Sequence, residues 1–255
     1  MFIYGVHPVL EALRGGRVKR LRVGLRADRR IEQVLALAGE MGVAVERVDA
    51  AVLQRLARGG VHQDIVAEVA AAEEHSIDDL VAAAGARAPL LVVLDGIEDP
   101  HNVGAILRTA DAAGVHGVVR QARHAASLDG VVAKASAGAL AHVRIATVVN
   151  IARAVDELKD AGVWTIGLDG SAPERDDAPD LTLATAIVLG AEGTGLRRLV
   201  RERCDRIVSI PMSGAVGSLN VSVAAGIMLF EAERQRRLVR PTVQAAPSVL
   251  GADSE

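Results

Sequence analysis

The sequence predicts an α/β fold with a mostly parallel sheet. Apolar runs rich in β-branched residues alternate with amphipathic segments, a pattern typical of parallel strands joined by helices. The run LLVVLD at 90–95 is nearly continuous in apolar residues, as expected of a strand buried on both faces. Two glycine-rich loops, GAEGTG at 190–195 and MSGAVGSLN at 212–220, each follow such a run. Glycine loops at the strand ends of an α/β sheet predict a pocket built largely from backbone.

Residues 1–70 form the first predicted domain, a small α/β unit. In the segment RRIEQVLALAGEMG (29–42), apolar residues recur at helical spacing and a glycine follows, which predicts an amphipathic helix. The predicted elements are, in order, a helix at 6–16, a strand at 18–25, a helix at 29–42, a strand at 43–48, a helix at 51–59 and a strand at 63–70.

Residues 71–76 are predicted to link this unit to a second domain at 77–240. Ser76 and Asp79 have the spacing of a capping box, which predicts a helix start. Residues 241–255 lack periodicity, and we expect them to be disordered.

The second domain continues the alternation of strands and helices. A polar loop is expected at 171–181, and the last helix is interpreted as either wholly core or partly a dimer contact. The predicted elements are helices at 77–84, 102–113, 151–162 and about 219–237, strands at 90–95, 116–120, 143–148, 163–170, 185–189 and 205–210, and a helical or irregular segment at 127–139.

Composition limits the class of protein. Half of the 255 residues are hydrophobic but only 2% are aromatic, so aliphatic side chains must fill the core. No apolar run approaches the roughly 18 residues of a membrane span, and the first residues lack the pattern of a signal peptide. Cys204 is the only cysteine, which excludes an intrachain disulfide and suits a reducing cytoplasm. No Cys/His cluster has metal-ligand spacing, so we expect no metal.

The charge distribution is uneven. Residues 1–60 carry 11 Lys and Arg against 6 Asp and Glu, whereas the whole chain has a net charge of −3. A basic run is most often a solvated surface, but it can also contact an RNA backbone. The crowded basic residues are Arg14, Arg17, Lys19, Arg20, Arg22, Arg26, Arg29 and Arg30.

The two glycine loops do not suit a polyphosphate. Their order, G-x-x-G-x-G, differs from the known phosphate-binding patterns, and Glu192 would repel a pyrophosphate. No Lys or Arg occurs from Met212 to Asn220. A neutral or cationic ligand fits better, and the sulfonium of S-adenosylmethionine is one candidate that the residues alone do not single out.

Three segments together resemble the motifs of the SpoU (TrmH-type) RNA ribose methyltransferases of the SPOUT superfamily. The first is LDGIEDPHNVGAILRTADAAGV at 94–115, and the other two contain the glycine loops within 187–230. The resemblance extends over about Tyr4 to Arg237. YGVHPVLEAL at the start and GGVHQDIVAEV at 59–69 are similar to the substrate-binding domain of the subgroup that methylates a guanosine ribose in 23S rRNA.

This resemblance implies a fold and a cofactor that periodicity does not reveal. It implies a trefoil knot in the second domain, contrary to the general rule against knots, and a ribosomal-protein-like first domain that grips RNA. It implies S-adenosylmethionine bound in a bent shape through backbone groups, and a homodimer with the cofactor site at the dimer contact. No membrane association is expected.

By position in the motifs, the resemblance also implies the catalytic residues. Arg108 matches the family arginine at the reacting hydroxyl. A guanidinium with a pKa above about 12 is a poor base. It could therefore stabilise the developing alkoxide, or an RNA phosphate or bound carboxylate could organise the proton transfer. Singly, each candidate could be a cap or a surface residue. The five candidates are Asn102, Arg108, Glu192, Ser218 and Asn220.

The remaining implied contacts are to cofactor and RNA. Cofactor contacts are expected at Gly190, Ile210, Leu219, Leu189 and Met212. RNA contacts are expected at Arg14, Arg17, Lys19, Arg20, Arg22, His62 and Arg123.

The chain departs from the family pattern after the first motif. Arg123 is retained, but the surrounding residues, ARHAAS, differ from those usual in the family. Ala141 stands where a Glu is common, although Lys134 and Ser136 match the family. The target nucleotide therefore stays open. The alternatives are a tRNA ribose methyltransferase, an rRNA adenosine methyltransferase of the drug-resistance type, a catalytically silent ribosome-assembly factor, and an oxidoreductase, which the glycine order disfavours.

Overall fold

The computed structural model describes residues 2–25, 29–70, 74–128 and 130–239, and these contain two sheets with flanking helices. The predicted α/β class is confirmed. Predictions for Arg26, for 71–73 of the linker and for the tail at 241–255 fall outside the described residues. No helix of the described ranges is long and apolar enough to cross a lipid bilayer.

The first sheet has the strand order β1-β4-β2-β3. Strand β4 is antiparallel to β1 and β2, while β2 and β3 are parallel. The sequence did not predict β1, because three residues are too few to show a period. The elements are β1 (Phe2–Tyr4), α1 (Val6–Arg14), β2 (Val18–Gly24), α2 (Arg29–Glu40), β3 (Ala44–Val48), α3 (Ala50–Leu56) and β4 (Ile65–Val69).

The second sheet is parallel throughout its described pairs. Its first elements are α4 (Ile77–Ala82), β5 (Leu90–Asp95), α5 (Pro100–Ala112), β6 (Gly117–Gln121), α6 (Gly130–Ala135), a 3-10 turn (Ala139–Ala141), β7 (Ile145–Val148) and α7 (Ile151–Asp160). The remaining elements are β8 (Trp164–Leu168), β9 (Glu174–Arg175), β10 (Thr185–Gly190), α8 (Arg198–Arg203), β11 (Arg206–Ser209) and α9 (Val221–Val239).

The strand order of this sheet is β7-β6-β5-β10-β8-β11-β9. One prediction was wrong: the polar loop at 171–181 contains β9, a two-residue strand that pairs with β11 through one ladder. Strands β10 and β11, which precede the glycine loops, are neighbours in the chain but are separated in the sheet by β8. The loops therefore come from strands two positions apart.

Alternation along β5 divides the core into two layers. Val92 and Leu94 pack into the layer that contains α5, α6 and α9, whereas Leu91 and Val93 face the layer with α4, α7 and α8. The predicted capping box at Ser76 and Asp79 begins α4, and each side chain accepts the other's backbone N–H. Helices thus cover both faces of β5, as its apolar run predicted.

Helix α5 is fixed at its start and along two sides. The Asp99 carboxylate caps it by accepting the His101 N–H at 2.9 Å. A Cβ at Gly104 would overlap Ala135 of α6, so the two helices touch through backbone. On another side, a Cβ at Gly226 of α9 would lie 3.8 Å from the Thr109 methyl. The helix that carries the first motif has little room to move.

His116 is a buried, neutral side chain at the start of β6. It is 8% exposed, and its Nδ1 accepts the Leu90 N–H at 3.0 Å, while its Nε2 has no hydrogen-bond partner among the described residues. Burial lowers the pKa of His116, and the positive charges of Arg87, Arg236 and Arg144 lower it further.

We expect acid to destabilise the fold through His116. The unfolded histidine takes up a proton near its ordinary pKa of about 6.5, whereas the native one resists it, so the free energy of unfolding falls as the pH drops below that value. His116→Asn keeps an acceptor for Leu90 and should lose less stability on acidification. Urea unfolding at about pH 7.5 and about pH 5.5 measures this difference.

The control is His101→Asn, which replaces an exposed histidine and should follow the wild type. If acid lowers the free energy of unfolding as much in His116→Asn as in the wild type, His116 is not the cause of that decrease.

Candidate active site

The loop after β10 is a tight turn whose shape requires glycine. Ala191 and Gly195 exchange backbone hydrogen bonds of 3.1 and 2.8 Å. Gly193 and Gly195 have φ of +77° and +66°, in the left-handed region that favours glycine. A Cβ at Gly190 would overlap the backbone of Gly195. The glycines therefore build the turn itself and place Glu192 at its exposed tip.

One side-chain amide joins the three motifs. The Nδ2 of Asn220 donates to Asn102 Oδ1 at 2.9 Å and to Glu192 Oε1 at 2.6 Å. Asn102 is only 6% exposed, so it anchors the cluster inside the fold. The Oδ1 of Asn220 accepts from the backbone N–H of Ser222 at 2.9 Å, which caps α9. Three of the five predicted catalytic side chains thus meet at one point.

The other two candidates lie outside this cluster. Arg108 follows Asn102 by six positions on α5, which places it about 120° away around the helix axis. Its side chain is exposed and makes no hydrogen bond or ion pair within the described ranges. Ser218 is exposed in the second glycine loop and likewise has no partner there. Both side chains are free to bind something other than the protein.

The second glycine loop offers an unpaired backbone. Within the described structure, residues 210–219 make no hydrogen bonds, although Asn220 at their end is firmly held. Met212 and Leu219 are exposed, and Ile210 is partly buried. A Cβ at Gly170, after β8, would lie 3.9 Å from Gly217 O, so the loop passes close to that strand end.

An ion pair between the buried Asp95 and the half-exposed Arg197, which the sequence reasoning missed, holds the first loop in place. Asp95 is fully buried at the end of β5, and its carboxylate accepts from the Arg197 backbone N–H at 2.9 Å and from Arg197 Nε at 2.6 Å. Arg197 Nη2 also donates to Gln121 Oε1 at 2.8 Å. The available signal was an acidic residue that ends an otherwise apolar strand.

A cleft of about 480 Å³ opens beside these groups, between the loops after β5 and β10. We call it the catalytic cleft, because two of the predicted catalytic residues, Asn102 and Glu192, line it together with Arg197. His124 lies on its rim with a φ of +52°, and His124 Nδ1 is 3.6 Å from Glu98 Oε1. A strained backbone at the rim of a cleft is typical of a functional position. The cleft has room for part of a nucleotide beside the polar cluster.

The predicted RNA-contact residues divide into two groups. Lys19, Arg20 and Arg123 are exposed and have no side-chain partner within the described ranges. The others have intramolecular partners: Arg14 with Glu11 at 2.6 Å, Arg17 with Leu140 O at 3.0 Å, Arg22 with Glu46 and Glu68 at 3.2 and 3.3 Å, and His62 Nδ1 with the Asp64 N–H at 3.0 Å.

Parallel strands that end in a glycine loop with unpaired backbone, beside a linked polar cluster, are typical of a site for an organic cofactor. Residues 89–230 match the model of the SpoU rRNA Methylase family, and residues 2–75 match that of RNA 2'-O ribose methyltransferase substrate binding. The chain belongs to the SpoU rRNA methylase family, which confirms the resemblance of its motifs.

Individual relatives agree along nearly the whole chain. It is 41% identical to the putative TrmH family tRNA/rRNA methyltransferase YacO of Bacillus subtilis, covering 93% of this chain and 97% of that protein. It is 44% identical to the 23S rRNA (guanosine-2'-O-)-methyltransferase RlmB of Shewanella oneidensis, covering 92% and 97%.

A solved structure is similar over the same extent. The SpoU methyltransferase AviRb from Streptomyces viridochromogenes, in complex with the cofactor AdoMet, superposes with a TM-score of 0.78 at 27% identity. The superposition covers 93% of this chain and 91% of AviRb.

The residues present fit S-adenosylmethionine. The unpaired backbone of 210–219 can bond the adenine and ribose, and Met212 and Leu219 offer apolar contact. Glu192 is the charged residue of the first loop, and no Lys or Arg lies from Met212 to Asn220, so the charges favour a sulfonium over a phosphate. Within the described residues no group of His, Cys, Asp and Glu could hold a metal ion.

We expect Arg197→Ala to destabilise the protein by about 2 kcal/mol, because it removes the half-exposed cation of the buried Asp95 carboxylate but keeps the backbone N–H that bonds it. The loop that carries Glu192 loses its anchor in the same step, so methyl transfer should fall as well. Urea unfolding and activity on the same preparations measure the two effects.

Arg198→Ala is the matched control. Arg198 lies next in the chain, is exposed and pairs with Glu202 on its own helix at 2.8 Å, a contact worth less than about 0.5 kcal/mol. Equal, small losses in both variants would show that the Asp95 pair does not hold the loop.

Proposed function

We propose that this chain uses S-adenosylmethionine to methylate the 2′-oxygen of a guanosine ribose in 23S rRNA. Membership of the SpoU family, the activity that the Shewanella relative is named for and the cofactor bound by AviRb support the proposal. The observation that carries it is the Asn220 bridge between Asn102 and Glu192. A cytoplasmic location is part of the proposal, because bacterial rRNA is made there.

The proposal includes a division of labour between two domains. Residues 1–70 would bind RNA, 71–76 would link, and 77–240 would hold the cofactor and perform the reaction. The two separate sheets support this division. We include the trefoil knot as well. Membership of the SpoU family supports it.

When bound, S-adenosylmethionine supplies an electrophilic methyl group on its sulfonium. The protein must then hold the ribose hydroxyl in line with that methyl. Both amide hydrogens of Asn220 are already directed to Asn102 and Glu192, so we assign Asn220 a positioning role. Glu192 keeps a second carboxylate oxygen, which can accept a hydrogen bond from the ribose.

Arg108 is the candidate for charge stabilisation. Its guanidinium stays protonated and is free of intramolecular partners within the described ranges, so its donors are available to an oxyanion. We assign it to the developing 2′-alkoxide and leave proton removal to solvent or to an RNA phosphate. The exposed Ser218 would contribute a neutral hydrogen bond from the second loop.

We also propose that the enzyme is a homodimer. Val223, Ile227 and Phe230 lie on one face of α9 at helical spacing, and Val223 and Phe230 are 50% and 52% exposed. Leu219, in the loop before the helix, is exposed too. An exposed apolar stripe next to a ligand loop is typical of a subunit contact.

The direct test is transfer of tritium from labelled S-adenosylmethionine to total rRNA and tRNA, followed by digestion to nucleosides. We expect label in 23S rRNA as 2′-O-methylguanosine. Arg108→Ala should lower the rate about 100-fold or more, because it removes a donor to the developing charge. Arg153→Ala replaces an exposed arginine on α7 outside the site and should keep the wild-type rate.

The outcomes separate the alternatives. Label in tRNA alone would support the same reaction on a different substrate, tRNA, for which the Bacillus relative is also named. No label in free RNA or in ribosomal particles, despite cofactor binding, would overturn the proposed activity.

For the dimer, we expect Phe230→Arg to yield a monomer, since it places a charge within the apolar contact. Analytical ultracentrifugation of wild type and variant measures the mass. Val149→Arg is the control, because Val149 is also exposed but lies outside the stripe, in the turn before α7. A monomeric wild type, or a dimeric Phe230→Arg variant, would contradict this contact.

A further inference from the structure

A second large cleft lies between the two domains. It has a volume of about 670 Å³ and is lined by Phe2, Leu56 and Arg58 from the first domain and by Ser127 and Leu128 from the second. We call it the interdomain cleft. Nothing in the proposed methyl transfer uses it, although its size is that of a site for a small organic group.

Aromatic residues are concentrated at this cleft. The chain has only two Phe, one Tyr and one Trp, and both Phe2 and Tyr4 line the interdomain cleft. Tyr4 is buried and forms a wall, whereas Phe2 is partly exposed. The Arg22 guanidinium lies 5.7 Å from the centre of the Phe2 ring. An aromatic ring backed by an arginine is a platform on which a nucleobase stacks.

Among the described lining residues, Arg58 is the one with a charged side chain. The Arg58 side chain is exposed and has no hydrogen bond or ion pair within the described ranges. Its φ of +49° is that of the left-handed residue that ends α3, where the Gly59 N–H donates to Gln54 O at 3.1 Å. The described lining residues include no carboxylate. Apolar walls with one unpaired cation at the rim suit a base and its phosphate.

The two walls of the cleft are held in a fixed relation. Tyr4 is enclosed between the domains: a Cβ at Gly60 or at Gly130 would overlap its side chain. A second contact joins the domains nearby, where Arg17 donates to Leu140 O at 3.0 Å. A cleft whose walls are already in place loses little free energy to ordering when it binds a ligand.

The interdomain cleft lies close to the catalytic cleft. His124 lines the catalytic cleft and Ser127 lines the interdomain cleft. Three residues of extended chain span at most about 11 Å, so a single RNA segment can reach both sites. The first-domain wall also belongs to residues 2–75, which match the substrate-binding model.

We propose that the interdomain cleft binds an unpaired base of the RNA substrate, near the nucleotide that is methylated. The base stacks on Phe2, and Arg58 contacts the adjoining phosphate. This inference rests on the proposed function, because it takes RNA as the substrate. It gives the enzyme a second point of recognition, which would require an unpaired neighbour at a set distance from the target ribose.

The test measures binding of two fluorescent probes, protein-free 23S rRNA and a fully paired RNA duplex of about 20 base pairs. Phe2→Leu keeps the apolar volume but removes the stacking ring, and Ser127→Trp fills the cleft from the opposite wall. Each should raise the Kd for 23S rRNA about tenfold, the effect of losing one stacked base. The Kd for the duplex should change less than about twofold.

Helix α3 offers two matched control variants, Arg55→Ala for Arg58→Ala and Gln54→Trp for Ser127→Trp. Arg58→Ala should weaken 23S rRNA binding, whereas Arg55→Ala removes an exposed arginine that does not line the cleft and should have little effect. Gln54→Trp adds the same bulk as Ser127→Trp at an exposed position outside the cleft. Calorimetric binding of S-adenosylmethionine and thermal unfolding establish that each variant is folded.

The results separate this inference from the proposed function. Suppose that the wild type transfers methyl groups, but 23S rRNA binding is normal in Phe2→Leu, Arg58→Ala and Ser127→Trp. The proposed base site is then wrong, and the proposed function is unaffected. If the wild type labels no RNA but these variants bind 23S rRNA more weakly than the wild type does, the proposed function is wrong and the proposed base site is supported. Equal weakening on the paired duplex would overturn the requirement for an unpaired base. If Ser127→Trp does not fold, Phe2→Leu and Arg58→Ala decide the outcome.

Discussion

The active-site architecture depends on one buried carboxylate. Asp95 ends β5, a strand inside the sheet, with no solvent exposure, and an ion in that position is stable only when it is paired and fully hydrogen-bonded. Arg197 satisfies it from two directions, through its backbone N–H and its guanidinium, and also bonds Gln121. The chain after β10 must therefore fold back over the ends of β5 and β6. The position of Glu192, five residues earlier, follows from that constraint.

The second glycine loop is built on the opposite principle. It is held at its end, where Asn220 bonds Asn102 and Glu192 and caps α9, while its backbone from 210 to 219 has no hydrogen bonds in the described structure. Exposed backbone without partners is the least stable part of a fold and the most able to adapt to a ligand. A rigid first glycine loop and an adaptable second glycine loop together suit a cofactor that is recognised through backbone groups.

The sequence predicted what depends on local pattern and missed what depends on distant pairing. The apolar run of β5, the cap at Ser76 and the motif positions of Asn102, Glu192 and Asn220 are local signals, and the structure brings those three side chains together. Strands β1 and β9 were missed because two or three residues show no period. The partners of Arg22 and Asp95 were missed too, because Glu68 and Arg197 lie 46 and 102 positions away.

Helix α6 connects the first domain to the catalytic helix. One end of it meets Tyr4 at Gly130, and the other meets α5, where Ala135 packs on Gly104. Neither contact has room for an added methyl group, so movement of the first domain must displace α6 as a body and press on α5. Close-packed contacts of this kind hold one arrangement and resist intermediate ones. If the first domain binds RNA as proposed, this packing makes it a fixed guide at a set distance from Asn102, rather than an arm that swings over the site.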